Sequence, residues 1–469
     1  MKKISIILLL LFTILVSYSY SQNKKPKYIF LFIGDGMGLN HISLTESFLS
    51  DSIGFQRLVM SNFPIFGLCE TQCKNKLITE SGAAGSAIAC GEKANFETIS
   101  YYNNPSEKNE SIAKILHKKN YKIGIISTTN LNDATPSAFY AICNHRKKYY
   151  DITVQAPSSG FEFFGGGAFR IDTTDKRNYN FDVFDSFKEN GYKCYSDLKL
   201  VDYHNDKKII FTNKDILKDG EMPYSIDKNY SRDSLCKIVE TAIKFLYNNN
   251  NNGFFIMCEG GKIDWAAHEN DAATIISEVI DFEAAIKKAY KFYSEHPDET
   301  LIIVTADHET GGLSLGIARK KYETDFNILN LQKCSQYEFA TKIENYKNFN
   351  SKYDLKDIIR LAEDNFYKEK ITFNNEEYAE INKAFDVYFN EKIIKMSKEE
   401  KMELYGDKDY NPISVAFTRI LNNRAGVGFT TWEHTAAKVP VWTIGNGATK
   451  FSGIMDNSEI KFKIISLVE

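Results

Sequence analysis

A net charge of only -3 over 469 residues leaves this chain without the basic excess that marks a nucleic-acid-binding surface. Internal repeats and low-complexity linkers are also missing, which argues against a solenoid or a beaded array. Histidine is scarce, with eight in the whole chain, so a neighbourhood holding several of them carries information. No cysteine follows the apolar run at the N-terminus, which disfavours a lipid anchor. The eight cysteines that do occur (69, 73, 90, 143, 194, 236, 258 and 334) are scattered, several of them in apolar runs where a buried thiol suffices. Their spacing dictates no disulfide pattern, and none is assigned.

The N-terminus reads as a targeting segment. Met1-Lys2-Lys3 is a positive start, Ile4 to Val16 is apolar but too short to span a bilayer comfortably, and Ser17 to Ser21 supplies small residues. Residues 1–21 are expected to be a signal peptide cleaved before Gln22, with an uncleaved anchor as the alternative. The mature chain, residues 22–469, is expected to be exported to the periplasm or secreted, with no membrane span of its own.

What is present is an ordinary globular composition, 43% hydrophobic and 25% charged, in a chain long enough for one large α/β domain with insertions. Strand and helix patterns alternate. Tyr28–Ile33 is a strand, with a helix after His41, and a helix at Ser111–Lys118 leads into a strand at Lys122–Ser127. Helical spacing at Ile238–Tyr247 precedes a strand at Phe254–Cys258. An amphipathic helix from Asp271 to Tyr293 runs into a strand at Leu301–Val304. Such alternation predicts an α/β fold with a mostly parallel sheet sandwiched by helices. From Arg319 to Tyr410 the chain turns polar and helical in period (Tyr378, Ile381, Phe385, Tyr388, Phe389), which predicts a largely helical inserted subdomain. The strand pattern returns at Val439–Ile444.

Chemistry-bearing motifs gather at or just beyond these strand ends, where an open parallel sheet collects its ligands. Phe32-Ile33-Gly34-Asp35-Gly36 follows the first strand, and Thr305-Ala306-Asp307-His308 follows the strand at 301–304. A carboxylate and an Asp-His pair offer a divalent cation an O/O/N set; two solvent-facing turns are the plainer alternative. Glu259 stands at the end of another strand, followed by Asp264 and His268, four apart and so on one helical face. Asn132-Asp133-Ala134-Thr135, Arg146 and Trp432-Glu433-His434-Thr435 complete the set. Ser81, in Thr79-Glu80-Ser81-Gly82-Ala83-Ala84, stands where a helix N-terminus would favour an anion. It is either a nucleophile or an ordinary N-cap serine.

In these motifs the sequence resembles the alkaline phosphatases, in family order from about residue 27 to the C-terminus, with Phe164-Gly165-Gly166-Gly167 similar to that family's glycine cluster. The resemblance implies a zinc- and magnesium-dependent hydrolase of small phosphate monoesters that works through a phosphoserine on Ser81. One zinc would be held by Asp264, His268 and His434. A second would take Asp35, Asp307 and His308 and activate Ser81. A magnesium ion would use Asp35, Thr135 and Glu259, with Asp133 through water, and Arg146 would grip two phosphate oxygens. The family also suggests a homodimer. A phosphodiesterase or sulfatase relative is the alternative; the Cys/Ser-x-Pro-x-Arg context of a sulfatase is absent around Ser81, and Glu259 and Thr135 argue for the third metal. Two departures stand out: Glu80 where the family usually has Asp, and Trp265 where members often carry Lys or His, which leaves Asp133 without a cation from that position.

Overall fold

The computed structural model describes residues 25–102, 109–177, 181–248, 250–390, 396–406 and 408–469. The expected signal peptide, residues 1–21, lies outside them. The strands are β1 (Tyr28–Ile33), β2 (Ile65–Glu70), β3 (Lys122–Ser127), β4 (Phe163–Gly166), β5 (Lys193–Tyr195), β6 (Ile209–Thr212), β7 (Phe254–Glu259), β8 (Thr300–Thr305), β9 (Glu309–Thr310), β10 (Ser314–Leu315), β11 (Val427–Gly428), β12 (His434–Thr435), β13 (Val439–Gly445) and β14 (Gly453–Asp456). Ten of them form one sheet in the order β14-β2-β13-β8-β1-β7-β3-β4-β6-β5. Within it only β13 runs against its neighbours.

β1, β7 and β8 sit at the centre, and every residue in each is buried. Their near-continuous apolar runs are what a strand covered on both faces requires. Helices Leu235–Tyr247 and Ala272–Glu295 pack on each other as one layer. Helices Ser81–Cys90, Ile112–Lys118, Ala134–Tyr140 and Glu459–Val468 make another. From β1 the chain crosses to β2 on one flank and then to β3 on the other, so the strand order reverses beside β1. A crevice opens there, at the strand C-termini. In the glycine cluster, Gly166 has φ +127°, and a Cβ there would fall 1.9 Å from the Ser127 carbonyl oxygen. Only glycine lets β4 end so close to β3.

Between β10 and β11 the chain is helical, with Gln336–Phe349, Leu355–Asn365, Asn375–Phe389 and Lys398–Tyr405 gathered about a fifth helix, Pro412–Ala425. Phe339 packs on Phe366 and Phe417, with ring centroids 4.7 and 5.6 Å away. Of the stripe expected in the third helix, Ile381, Phe385 and Phe389 are buried, while Tyr378, in its first turn, is exposed and Tyr388 half-buried. Two buried carboxylates tie this region to the sheet domain. Asp227 accepts hydrogen bonds from the Ser335 backbone N–H and hydroxyl, at 2.7 and 2.8 Å. Asp271 accepts from the Gln336 N–H and the Gln332 amide.

Candidate active site

Ile33 and Thr305 are paired in register at the ends of β1 and β8, so the loops that follow emerge side by side. Asp35, Asp307 and His308 are thereby brought together, all buried. Asp307 Oδ1 accepts from the N–H groups of Gly36 and His308, at 3.2 and 3.0 Å. Its Oδ2 and Asp35 Oδ1 are buried without any hydrogen-bond partner. Both oxygens lie 3.3 Å from His308 Nε2. Burial, and then the Asp307, Asp264 and Glu259 carboxylates, push the Asp35 carboxyl well above its ordinary range; burial raises Asp307 to about 6. Two buried, orphaned acceptors facing one ring nitrogen call for a positive charge among them.

The ring nitrogens sharpen this point, with tautomers assigned from the hydrogen-bond network. Thr310 donates its hydroxyl to Asp264 Oδ1 at 2.5 Å, so that oxygen can only accept from His308 Nδ1, 3.2 Å away. The proton on Nδ1 leaves Nε2 a bare lone pair, aimed at Asp35, Asp307 and the Ser81 hydroxyl, which is 3.2 Å distant. A second site repeats the device. His268 Nδ1 donates to the Trp432 carbonyl, and His434 Nδ1 to the Thr79 carbonyl at 2.8 Å. Their Nε2 atoms then face each other as lone pairs 3.1 Å apart, with Asp264 oxygens 3.4 and 3.7 Å from them. Burial lowers His268 to about 4, which keeps it neutral and available as a ligand. His434 arrives from far along the chain because β12 pairs with β9, opposite Thr310, and its ring stacks on His308 at 3.7 Å. His308, in reach of both Asp264 and His434, stands between the two sets.

Ser81 is the first residue of helix Ser81–Cys90, and the N-cap is Glu80, not Ser81. Glu80 accepts from the Gly82 and Ala83 N–H groups, each at 2.7 Å, which leaves the serine hydroxyl to face His308. The longer glutamate also reaches Arg146, whose Nη1 donates to Glu80 Oε2 at 2.7 Å. Arg146 Nη2 donates to Asp133 Oδ1 at 3.1 Å. Trp265 brings Asp133 no cation, as expected, but Arg146 folds back from the next loop and supplies one. Burial alone would weaken the guanidinium's hold on its proton, but Glu80 and Asp133 outweigh it and keep Arg146 charged.

Thr135 and Glu259 line the remaining corner. The Thr135 hydroxyl is buried without a partner. Glu259 accepts from the hydroxyls of Ser127 and, at 3.3 Å, Thr129, and burial raises it to about 8. Sequence reasoning missed Thr310, Ser127 and Thr129, whose hydroxyls hydrogen-bond Asp264, His308 and Glu259; their only signal was a place within a residue or two of a strand end. Glu309, beside His308 in sequence, takes no part: it holds Thr435 and the Leu313 N–H instead.

The site opens into a cleft of about 1100 Å³ whose lining runs from Ser81, Arg146 and His434 to Tyr337, Tyr388 and Tyr410. The chain from 319 to 410 thus supplies part of the cleft wall. The alkaline phosphatase family model matches residues 26–162 and 163–469. This chain belongs to the alkaline phosphatase family. It is accordingly a phosphoric monoester hydrolase. Alkaline phosphatase 3 of Bacillus subtilis (strain 168) is 30% identical over 409 residues, 84% of this chain and 77% of that protein. Alkaline phosphatase 4 of the same organism is 29% identical over 92% of this chain and 87% of its own length. Among solved structures, the cold-active alkaline phosphatase of a psychrophilic Shewanella superposes with TM-score 0.76 at 25% identity, covering 94% of this chain and all (100%) of its own. A variant of the alkaline phosphatase from the Antarctic bacterium TAB5 matches with TM-score 0.64 at 26% identity over 95% of this chain and 98% of its own; that protein carries Mg in its M3 site. Among the described residues, no helix is long and apolar enough to cross a membrane.

Proposed function

We propose that this chain cleaves phosphate monoesters through a phosphoserine on Ser81, with two zinc ions and one magnesium ion as cofactors. The observation that carries the reading is the set of ligand atoms left without protons or partners: Nε2 of His268, His308 and His434, Asp35 Oδ1, Asp307 Oδ2 and the Thr135 hydroxyl. The donor chemistry fits the metals. Asp264, His268 and His434, and Asp35, Asp307 and His308, are the mixed nitrogen and carboxylate sets that zinc takes. Asp35, Thr135 and Glu259 offer oxygen alone, as magnesium prefers, with Asp133 close by to order water. Magnesium in the TAB5 relative supports the third site. Bound there, the cations would supply positive charge to the serine oxygen and to the departing ester oxygen.

The chain's own groups do the rest. Glu80 fixes both the start of the Ser81 helix and the Arg146 guanidinium, so nucleophile and phosphate grip are positioned by one carboxylate. Arg146 offers two N–H groups to two phosphate oxygens. Ser81 Oγ attacks phosphorus and the alcohol leaves; water then cleaves the Ser81–phosphate bond and releases inorganic phosphate. Burial of every proposed ligand but the half-buried His434 limits the competition of bulk water for these charges. Residues 1–21 act in this reading as a removable signal peptide, and mature protein starting at Gln22 by N-terminal sequencing checks it. Residues 319–410 are the inserted subdomain. Turnover of p-nitrophenyl phosphate by protein loaded with zinc and magnesium tests the function; no turnover, with both metals bound by elemental analysis, rejects it.

A further inference from the structure

The geometry points to Trp265 as the stacking platform of a leaving-group subsite that selects nucleoside 5′-monophosphates. This rests on the phosphomonoesterase reading and extends it to the substrate class. Trp265 directly follows Asp264 in the helix that also carries His268, and all three line the same cleft as His434. It is half-buried and lines the cleft. Its orientation is braced from within the protein: the Lys262 ammonium, almost fully buried, lies 4.6 Å from the Trp265 ring centroid and 3.7 Å from that of Tyr224. Burial works against that lysine's charge, and Glu221, Glu278 and Glu269 oppose that loss.

The inserted helices complete the subsite. Tyr337 lines the same cleft as Trp265 and is 37% exposed. Exposed Glu344 and Asp409 also line the cleft and offer acceptors for a base amino group or ribose hydroxyls. The cleft is at the upper end of what a drug-sized ligand occupies and far exceeds a glyceryl or nitrophenyl ester. A flat heterocycle with N–H donors uses both the aromatic platform and the acidic rim. An aliphatic ester uses neither, and a nitrophenyl ester lacks the donors.

The test compares kcat/KM of the zinc- and magnesium-loaded protein for adenosine 5′-monophosphate, ribose 5-phosphate, p-nitrophenyl phosphate and glycerol 2-phosphate. The nucleotide should exceed glycerol 2-phosphate and ribose 5-phosphate by about tenfold, at the low end of what one stacked base contributes. The difference should lie in KM, because water cleaves the same phosphoserine for every substrate. Trp265→Ala should bring the ratio close to one, and Trp265→Phe should retain most of it. Adenosine alone should inhibit glycerol 2-phosphate hydrolysis competitively, and less well after Trp265→Leu, which preserves bulk if the alanine variant does not fold. Equal kcat/KM for the nucleotide and ribose 5-phosphate, a ratio unmoved by Trp265→Ala, or p-nitrophenyl phosphate matching the nucleotide would each overturn the assignment. Absence of turnover on every ester would instead remove the phosphatase reading, and this subsite with it.

Discussion

The strand-end crevice and the inserted helices differ in how their residues are held. In the crevice, Asp35, Glu259, Asp307 and His308 leave the ends of three fully buried neighbouring strands, and backbone pairing sets their separations. Among the inserted helices, Gln336–Phe349 carries Tyr337 and Glu344 to the cleft, and its first turn is pinned by Asp227 and Asp271. The first arrangement suits chemistry that fails with small displacements. The second suits a wall that can differ without disturbing the centre. Variants in the crevice should therefore abolish turnover, and variants in the pins should loosen the wall while chemistry survives.

The largest effect is expected from stripping metal. A chelator should remove activity completely, and zinc with magnesium should restore it. His434→Ala should lose zinc by elemental analysis; full zinc content would mean that His434 is not a ligand. Next, Ser81→Ala should cost several orders of magnitude in kcat while some hydrolysis persists, because Arg146 and the metal ligands remain. Near-normal kcat would exclude the serine as nucleophile. Glu80→Ala removes the helix cap and one side of the Arg146 clamp together, and about a hundredfold loss in kcat/KM is expected. If the loss is below about threefold, Asp133 alone positions the arginine.

The smallest effect should come from the pin. Burial raises Asp227 to about 7 from 3.8. With its folded value above its unfolded one, its contribution is fully present below about pH 4 and is lost as pH rises through about 7. Asp227→Asn keeps an acceptor for the Ser335 N–H but cannot ionise. Between pH 5 and 8 the wild type should lose stability relative to this variant by on the order of 3 kcal/mol, read from urea midpoints of metal-loaded protein. A difference that does not change with pH would show that Asp227 does not titrate in the folded state.

Asp35, Glu259, Asp307 and His308 were legible as candidate ligands because they stand at or just beyond the ends of unmistakable apolar strands, while the grouping of all the candidate ligands into sets came from the family resemblance. β1, β7, β8 and β13 fell within a residue of their expected bounds. The Asp133–Arg146 contact was not legible, since it depends on how a loop folds back over the helix beginning at Ala134. Nor was the N-cap at Glu80, because serine is the commoner cap and only the paired N–H bonds reveal the glutamate in that role. The inserted helices could be read as helices from period and polarity, but their seat on the cleft depends on Asp227 and Asp271, far away in sequence and marked by no motif.

One measurement bears most directly on the claim that this buried, proton-poor cluster makes Ser81 a nucleophile. Metal-loaded protein is incubated with labelled phosphate ester, quenched in acid and digested, and the labelled peptide is sequenced. The account predicts one label, on the serine of Thr79-Glu80-Ser81-Gly82, and none in protein stripped of metal before incubation. Label on any other residue, or active enzyme that never carries label, would contradict it.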